Sequence, residues 1–140
     1  MRISAKCDYA CRALTALAKE WPNKKPIQIH MISQSQDIPM RYLVHILIQL
    51  KGLGLVTSTR GKAGGYALLR APKKITLAEV MRKVCGPLLP RASSAAKSES
   101  VFATIWKELE GAMSKVLENI TFDDILKKAK GIDGAINYHI

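Results

Sequence analysis

Apolar residues recur at steps of three and four through Cys7, Ala10, Leu14, Leu17 and Trp21, the spacing of one helix face. Ser4 stands where its hydroxyl can accept a free first-turn amide, and Pro22 with Asn23-Lys24-Lys25-Pro26 stops the pattern. Ile27-Gln28-Ile29 alternates like a short strand, and His30 to Gln36 reads as a short helix with Met31 and Ile32 inward. Asp37 takes the following turn, because a short polar side chain tolerates left-handed backbone. Pro39 suits the start of a third helix, where a missing amide proton costs nothing. In that helix Leu43, Ile46, Leu47, Leu50 and Leu53 form the inward stripe, and Arg41, Val44, His45, Ile48 and Gln49 lie towards the other side.

Leu55 to Thr59 and Tyr66 to Arg70 read as two strands joined by the glycine-rich, basic tip Arg60-Gly61-Lys62-Ala63-Gly64-Gly65. A phosphate loop of nucleotide-binding proteins needs four residues between its glycines and then Gly-Lys-Ser/Thr opening a helix, and this tip has neither. Thr76-Leu77-Ala78-Glu79 has the form of a capping box at the head of a helix running to about Cys85, which Gly86-Pro87 ends. Residues 88–100 are rich in small polar residues and without periodicity, as a linker is.

Phe102, Ile105, Leu109, Ala112 and Val116 then recur at steps of three and four, flanked by Val101, Trp106, Met113 and Leu117. So broad an apolar face on a helix of about 20 residues, some 30 Å long, exceeds what one small domain covers. A homodimer seam through Phe102, Ile105, Trp106, Leu109, Met113 and Val116 is the economical expectation. Thr121-Phe122-Asp123-Asp124 opens a final short helix with Lys127, Lys128 and Lys130 at its end, and residues 131–140 read as a frayed tail. The pattern predicts a mostly α fold with a small β-wing. Residues 1–87 would form a winged helix-turn-helix domain, 88–100 a linker, and 101–130 a dimerisation helix and a C-terminal helix.

Charge turns this architecture towards DNA. The net charge is +11, and its placement is uneven: residues 1–74 hold 13 Lys/Arg against 3 Asp/Glu, whereas residues 75–140 hold 9 against 8. Clustered cations of this kind displace the counterions condensed on a phosphate backbone, so a polyanionic partner is expected. No apolar run is long enough to span a membrane, no secretory signal pattern opens the chain, and three cysteines without framework spacing suit a reducing compartment. A cytoplasmic location is expected. An enzyme is not, since no carboxylate pair, nucleophile with its base or cofactor loop is evident.

The residues Met1-Arg2-Ile3-Ser4-Ala5-Lys6, Tyr9-Ala10, Tyr42-Leu43, Gly54-Leu55-Val56, Arg60-Gly61 and Gly64-Gly65-Tyr66 resemble the Rrf-two family of bacterial transcription factors. Ile75-Thr76-Leu77, Gly86-Pro87, Trp106 and Ile120-Thr121 extend the likeness in order to about residue 126. The resemblance implies a dimeric regulator, most often a repressor, whose long helix crosses onto its partner. It places the second helix-turn-helix element in the major groove and the wing tip in the minor groove of a palindromic operator.

By that likeness Arg41, Tyr42 and His45 match base- and phosphate-contacting positions, and Arg60 matches a minor-groove arginine. Val44 stands where some relatives carry an acidic selectivity residue; it cannot accept a hydrogen bond from cytosine but can pack on a thymine methyl. Lys62, Gly64 and Gly65 are expected to contact phosphates. For Tyr42, a ring half packed on the core is the competing reading.

Cluster-binding relatives place three cysteines in the linker, whereas residues 86–106 here contain none. Ser94 and Ser100 stand near two of those positions and Ala103 where a histidine ligand would be, so no metal or cofactor is expected. A cluster-free branch and a ligand-replaced variant of an iron-sulfur sensor both remain open, as does a regulator acting mainly through a protein partner. Asp8 matches a cluster-ligand position in some relatives and here reads as a solvated or salt-bridged residue. Cys7 and Cys11, one turn apart, are badly directed for a mutual disulfide and read as small buried apolar residues. Cys7, Cys11 and Cys85 are the redox candidates, with sensing through Cys11 or Cys85 the alternative to plain burial. His30, His45 and His139 are too scattered for a metal site.

Overall fold

A computed structural model describes the backbone of residues 2–89 and 100–138, with side chains described as far as residue 132. Three helices open the chain: α1 (Ala5–Ala18), α2 (Ile29–Gln36) and α3 (Met40–Gly52). The antiparallel strands β1 (Val56–Thr59) and β2 (Gly65–Leu68) form the wing, with Val56 opposite Leu68 and Thr59 opposite Gly65. α4 (Leu77–Val80) continues into a π-helical turn over Met81–Cys85, and α5 (Val101–Glu118) and α6 (Phe122–Tyr138) complete the chain.

Local chemistry accounts for most boundaries. The Ser4 hydroxyl accepts from the Cys7 amide at 3.2 Å and starts α1. Ser100 does the same for α5 through the Ala103 amide. Thr121 and Asp124 form the full reciprocal box at the head of α6, each side chain accepting from the other residue's amide. The Thr121 amide first, and the Thr121 side chain after it, hold the Asp124 carboxyl below its usual range.

Several expectations are corrected. The strand at Ile27–Ile29 shrinks to one bridge between Ile27 and Tyr66, because Ile29 already begins α2. Ile32 is buried as expected, but Met31 is 54% exposed; an eight-residue helix has room for only one inward position here. The helix from Thr76 loses α geometry after Val80 and reaches Cys85 as a wider turn. α6 is not a short helix with a frayed tail: it passes Gly131 and continues to Tyr138. The linker positions 90–99, including Ser94, and His139 lie outside the described residues.

One core serves both ends of the chain. Leu14 and Leu17 of α1, Ile32 of α2, Leu43, Leu47 and Leu50 of α3, and Leu55 and Leu68 of the wing are buried together with Phe122, which opens α6. Backbone bonds from Leu77 to the Ile120 carbonyl and from Phe122 to the Ile75 carbonyl fasten the start of α6 beside α4. Burying so many apolar side chains supplies the main driving force for this arrangement. α5 is the exception, an 18-residue helix with no buried residue.

Candidate nucleic-acid interface

The turn between α2 and α3 is closed from both directions. Asp37 adopts the left-handed conformation, the Ile38 amide donates to the Ser33 carbonyl at 3.0 Å, and the Ser33 hydroxyl donates to the Ile38 carbonyl at 2.6 Å. Leu43, Ile46, Leu47 and Leu50 anchor α3, so Arg41, Tyr42, Val44 and His45 face solvent. Tyr42 is 46% exposed and does not belong to the core. Its ring lies 6.1 Å from that of Tyr9, while the Arg41 guanidinium sits 4.8 Å above it and donates to the Tyr42 hydroxyl at 3.2 Å. The tyrosine thus aims the arginine. Lys6, Tyr9, Tyr42 and His45 line a cleft between α1 and α3 on the same face.

The wing is braced against α3 and against the residue that precedes α2 by contacts that pattern reading missed. Lys51, in the last turn of α3, donates to Ser58 of β1 at 2.7 Å. Gln28, just before α2, donates through its side-chain amide to the Lys62 carbonyl at 2.7 Å. That bond leaves the Lys62 ammonium free for a phosphate. None of the five ion pairs among the described residues engages Arg41, Arg60 or Lys62.

Gly64 is corrected: it is buried and its amide already donates to Gly61, so it is not a phosphate donor. A Cβ there would stand 2.1 Å from the Thr59 carbonyl oxygen, and one at Gly65 2.4 Å from the Ile27 oxygen. Both glycines are needed for backbones to approach closely.

The foot of the wing carries a second unforeseen feature. Glu79 does not return to the Thr76 amide as a capping box would; only the Thr76 hydroxyl makes its half, accepting from the Glu79 amide. Instead the carboxylate takes a bidentate bond from Arg70 at 2.6 and 3.0 Å and a third contact from Lys83 at 3.0 Å. A guanidinium fork outcompetes a single neutral amide. The Arg70 hydrogen bond, more than Lys83, holds the Glu79 carboxyl below its ordinary 4.5. A lowered carboxylate contributes stability that is present above the ordinary value and lost as pH falls through the folded one. Glu79→Gln is expected to cost about 1 kcal/mol in urea unfolding at neutral pH, after discounting for partial exposure. That difference from the parent should vanish in acid.

The redox candidates part company. Cys7 and Cys85 are joined by a disulfide, a pairing across 78 positions that the sequence reading did not anticipate. Cys11 is free, its thiol pushed up to about 11 by burial and by Asp8. Asp8 itself pairs with Arg12 at 2.7 Å. Among the described residues no helix is long and apolar enough to cross a membrane.

A recognition helix behind a fixed turn, with a basic wing beside it, defines a winged helix-turn-helix protein carrying two added C-terminal helices. The chain belongs to the Rrf2 family, whose profile, described as an iron-dependent transcriptional regulator, matches residues 3–128. A helix-turn-helix transcriptional regulator of Mycobacterium tuberculosis, Rv1287, is 34% identical over 135 residues, which cover 89% of this chain and 81% of that protein. CymR of Bacillus subtilis is 29% identical over 140 residues, all of both chains. The structure of CymR, the global cysteine regulator of that organism, superposes with a TM-score of 0.79 at 28% identity, covering 91% of this chain and 98% of the other. That of IscR from T. potens gives 0.78 at 30% identity, covering 92% and 88%.

The protein is therefore a transcriptional regulator with the family's winged-helix DNA-binding fold, and its relatives are regulators rather than enzymes. The iron named in the family description finds no thiolate set to hold a cluster. Residues 86–106 lack cysteine, Cys7 and Cys85 are bonded to each other, and the one remaining thiol, on half-buried Cys11, is pushed up to about 11.

Proposed function

We propose that the protein acts as a homodimeric repressor that grips a palindromic duplex site and blocks transcription by occupying it. In this reading α3 enters the major groove, where Arg41 and His45 meet base edges and phosphates and Val44 packs on a thymine methyl. Arg60 reaches into the adjacent minor groove, while Lys62 and the Gly65 backbone settle on phosphates. The exposed face of α5 supplies the seam that sets two such units one helical turn apart.

The observation that carries this reading is the absence of Arg41, Arg60 and Lys62 from the ion pairs of the described residues, on α3 and on a wing that Lys51 and Gln28 hold in place. Cations left without carboxylate partners, in the half of the chain that holds nearly all the excess charge, suit a phosphate backbone. The test is binding to promoter fragments selected from the source genome, measured across salt concentrations. Affinity should fall steeply with salt, and Arg60→Ala should weaken it by about tenfold, lowering the slope by about one while the dimer persists. An unchanged affinity would remove the wing from the interface.

A further inference from the structure

The Cys7–Cys85 disulfide ties the first turn of α1 to the end of the π-helical turn after α4. Its two residues are unequally exposed. Cys7 is only 2% exposed, whereas Cys85 is half-buried, and both line a surface cleft with Arg2, Ser4 and Pro87. An incoming thiolate therefore meets Cys85 first. Cys7 lies three residues past the Ser4 cap, so its sulfur sits at the positive end of α1, where a departing thiolate is stabilised. Attack and departure thus have assigned ends.

The bond also sits at a mechanical junction. The element ending in Cys85 carries Glu79, which clasps Arg70 at the foot of the wing, and Arg82, which pairs with Glu118 of α5. Both ion pairs are partly exposed and individually weak. The covalent bond is the firm member of the set.

We propose that Cys7–Cys85 is a reversible thiol–disulfide site through which a dithiol reductant lowers the protein's affinity for DNA. The first thiolate of the reductant bonds to the Cys85 sulfur as the Cys7–Cys85 bond breaks, and the electron pair leaves on Cys7. The second thiolate of the reductant then attacks the reductant sulfur of this mixed disulfide and expels Cys85. The protein gains two electrons and, in its thiol form, two protons; the dithiol becomes a disulfide, and reverse exchange reseals the bond. Cys11, protonated at neutral pH, does not compete. With the bond open, the turn after α4 is held to α1 by packing alone. Helix α5, which Arg82 fastens to that turn, and the wing foot, which Glu79 clasps, then lose a fixed reference, and the spacing of the two wings in the dimer loses definition.

This inference rests on the DNA reading above, and its test separates the two. Oxidised full-length protein is treated with dithiothreitol without denaturant, quenched in acid, and its thiols counted after unfolding. The count should rise from one to three, and glutathione used instead should leave its adduct on Cys85. Affinity for a two-half-site fragment should fall by roughly 5- to 150-fold on reduction, the usual range of coupling between sites. Cys7→Ser and Cys85→Ser should match the reduced form, and Cys11→Ser should keep the difference. The dithiothreitol arm needs no variant, so a variant that misfolds leaves the test standing. A bond that opens only in denaturant, an adduct on Cys7, or equal affinities of the two forms overturns the switch alone. If neither form binds DNA, the switch and the DNA reading fall together, while the thiol count still reports on the bond.

Discussion

Substituting glutamate for Ile105 and Leu109 together is expected to yield a monomer with its helix content intact and its operator affinity reduced by roughly 100- to 10,000-fold. Both side chains are 43% exposed, and the helix that carries them contributes nothing to the core, so the fold does not need their apolar character. Val101, Phe102, Trp106 and Val116 on the same helix are between 50% and 74% exposed. An apolar face of this extent in water marks an interaction surface. Two buried carboxylates per protomer at a dimer seam would go unpaired, a cost well beyond what such a surface can absorb. The loss in affinity follows from multivalency: once the units separate, the second half-site no longer binds intramolecularly. Light scattering gives the mass and a binding curve gives the affinity. A double variant that remains dimeric would move the seam away from α5, and Glu108→Gln serves as the surface control.

What the sequence disclosed depended on the range of the interaction. Ser4, and Thr121 with Asp124, announced their helices because a cap is settled within three residues. The inward stripe of α3 was legible because thirteen residues give its period time to declare itself, whereas eight in α2 left Met31 on the wrong side. Glu79 obeyed the local spacing rule in sequence and broke it in space, since the guanidinium of Arg70 comes from outside the helix. The bond from Gln28 to Lys62 and the pairing of Cys7 with Cys85 join positions 34 and 78 apart, where no periodicity carries a signal. In the candidate interface the outward helix residues were readable from the face they share, while their bracing was not. Tyr42 aims Arg41 and Gln28 holds the tip through contacts that exist only after folding.

Gly64→Ala should disable the wing. The sequence offered this glycine as a phosphate donor; its position in the tip gives it a different and stricter role. An added Cβ would meet the Thr59 carbonyl oxygen at 2.1 Å and the Arg60 carbonyl carbon at 2.7 Å, and backbone atoms cannot swing aside as a side chain would. The tip must open, which breaks the Gly64-to-Gly61 bond and displaces Arg60 and Lys62 together. Strain of this kind costs about 3 kcal/mol, equivalent to a melting point lower by roughly 10 °C for a chain of this size. Affinity for DNA should fall further than for Arg60→Ala, because the substitution removes the placement of the whole tip rather than one cation. Gly52→Ala is the matched control: it lies in α3, a Cβ there meets nothing within 4 Å, and helix propensity favours alanine by up to about 1 kcal/mol. Equal melting points and equal affinities for the two variants would mean that the tip does not need its close backbone approach, and that the wing reaches DNA by some other geometry.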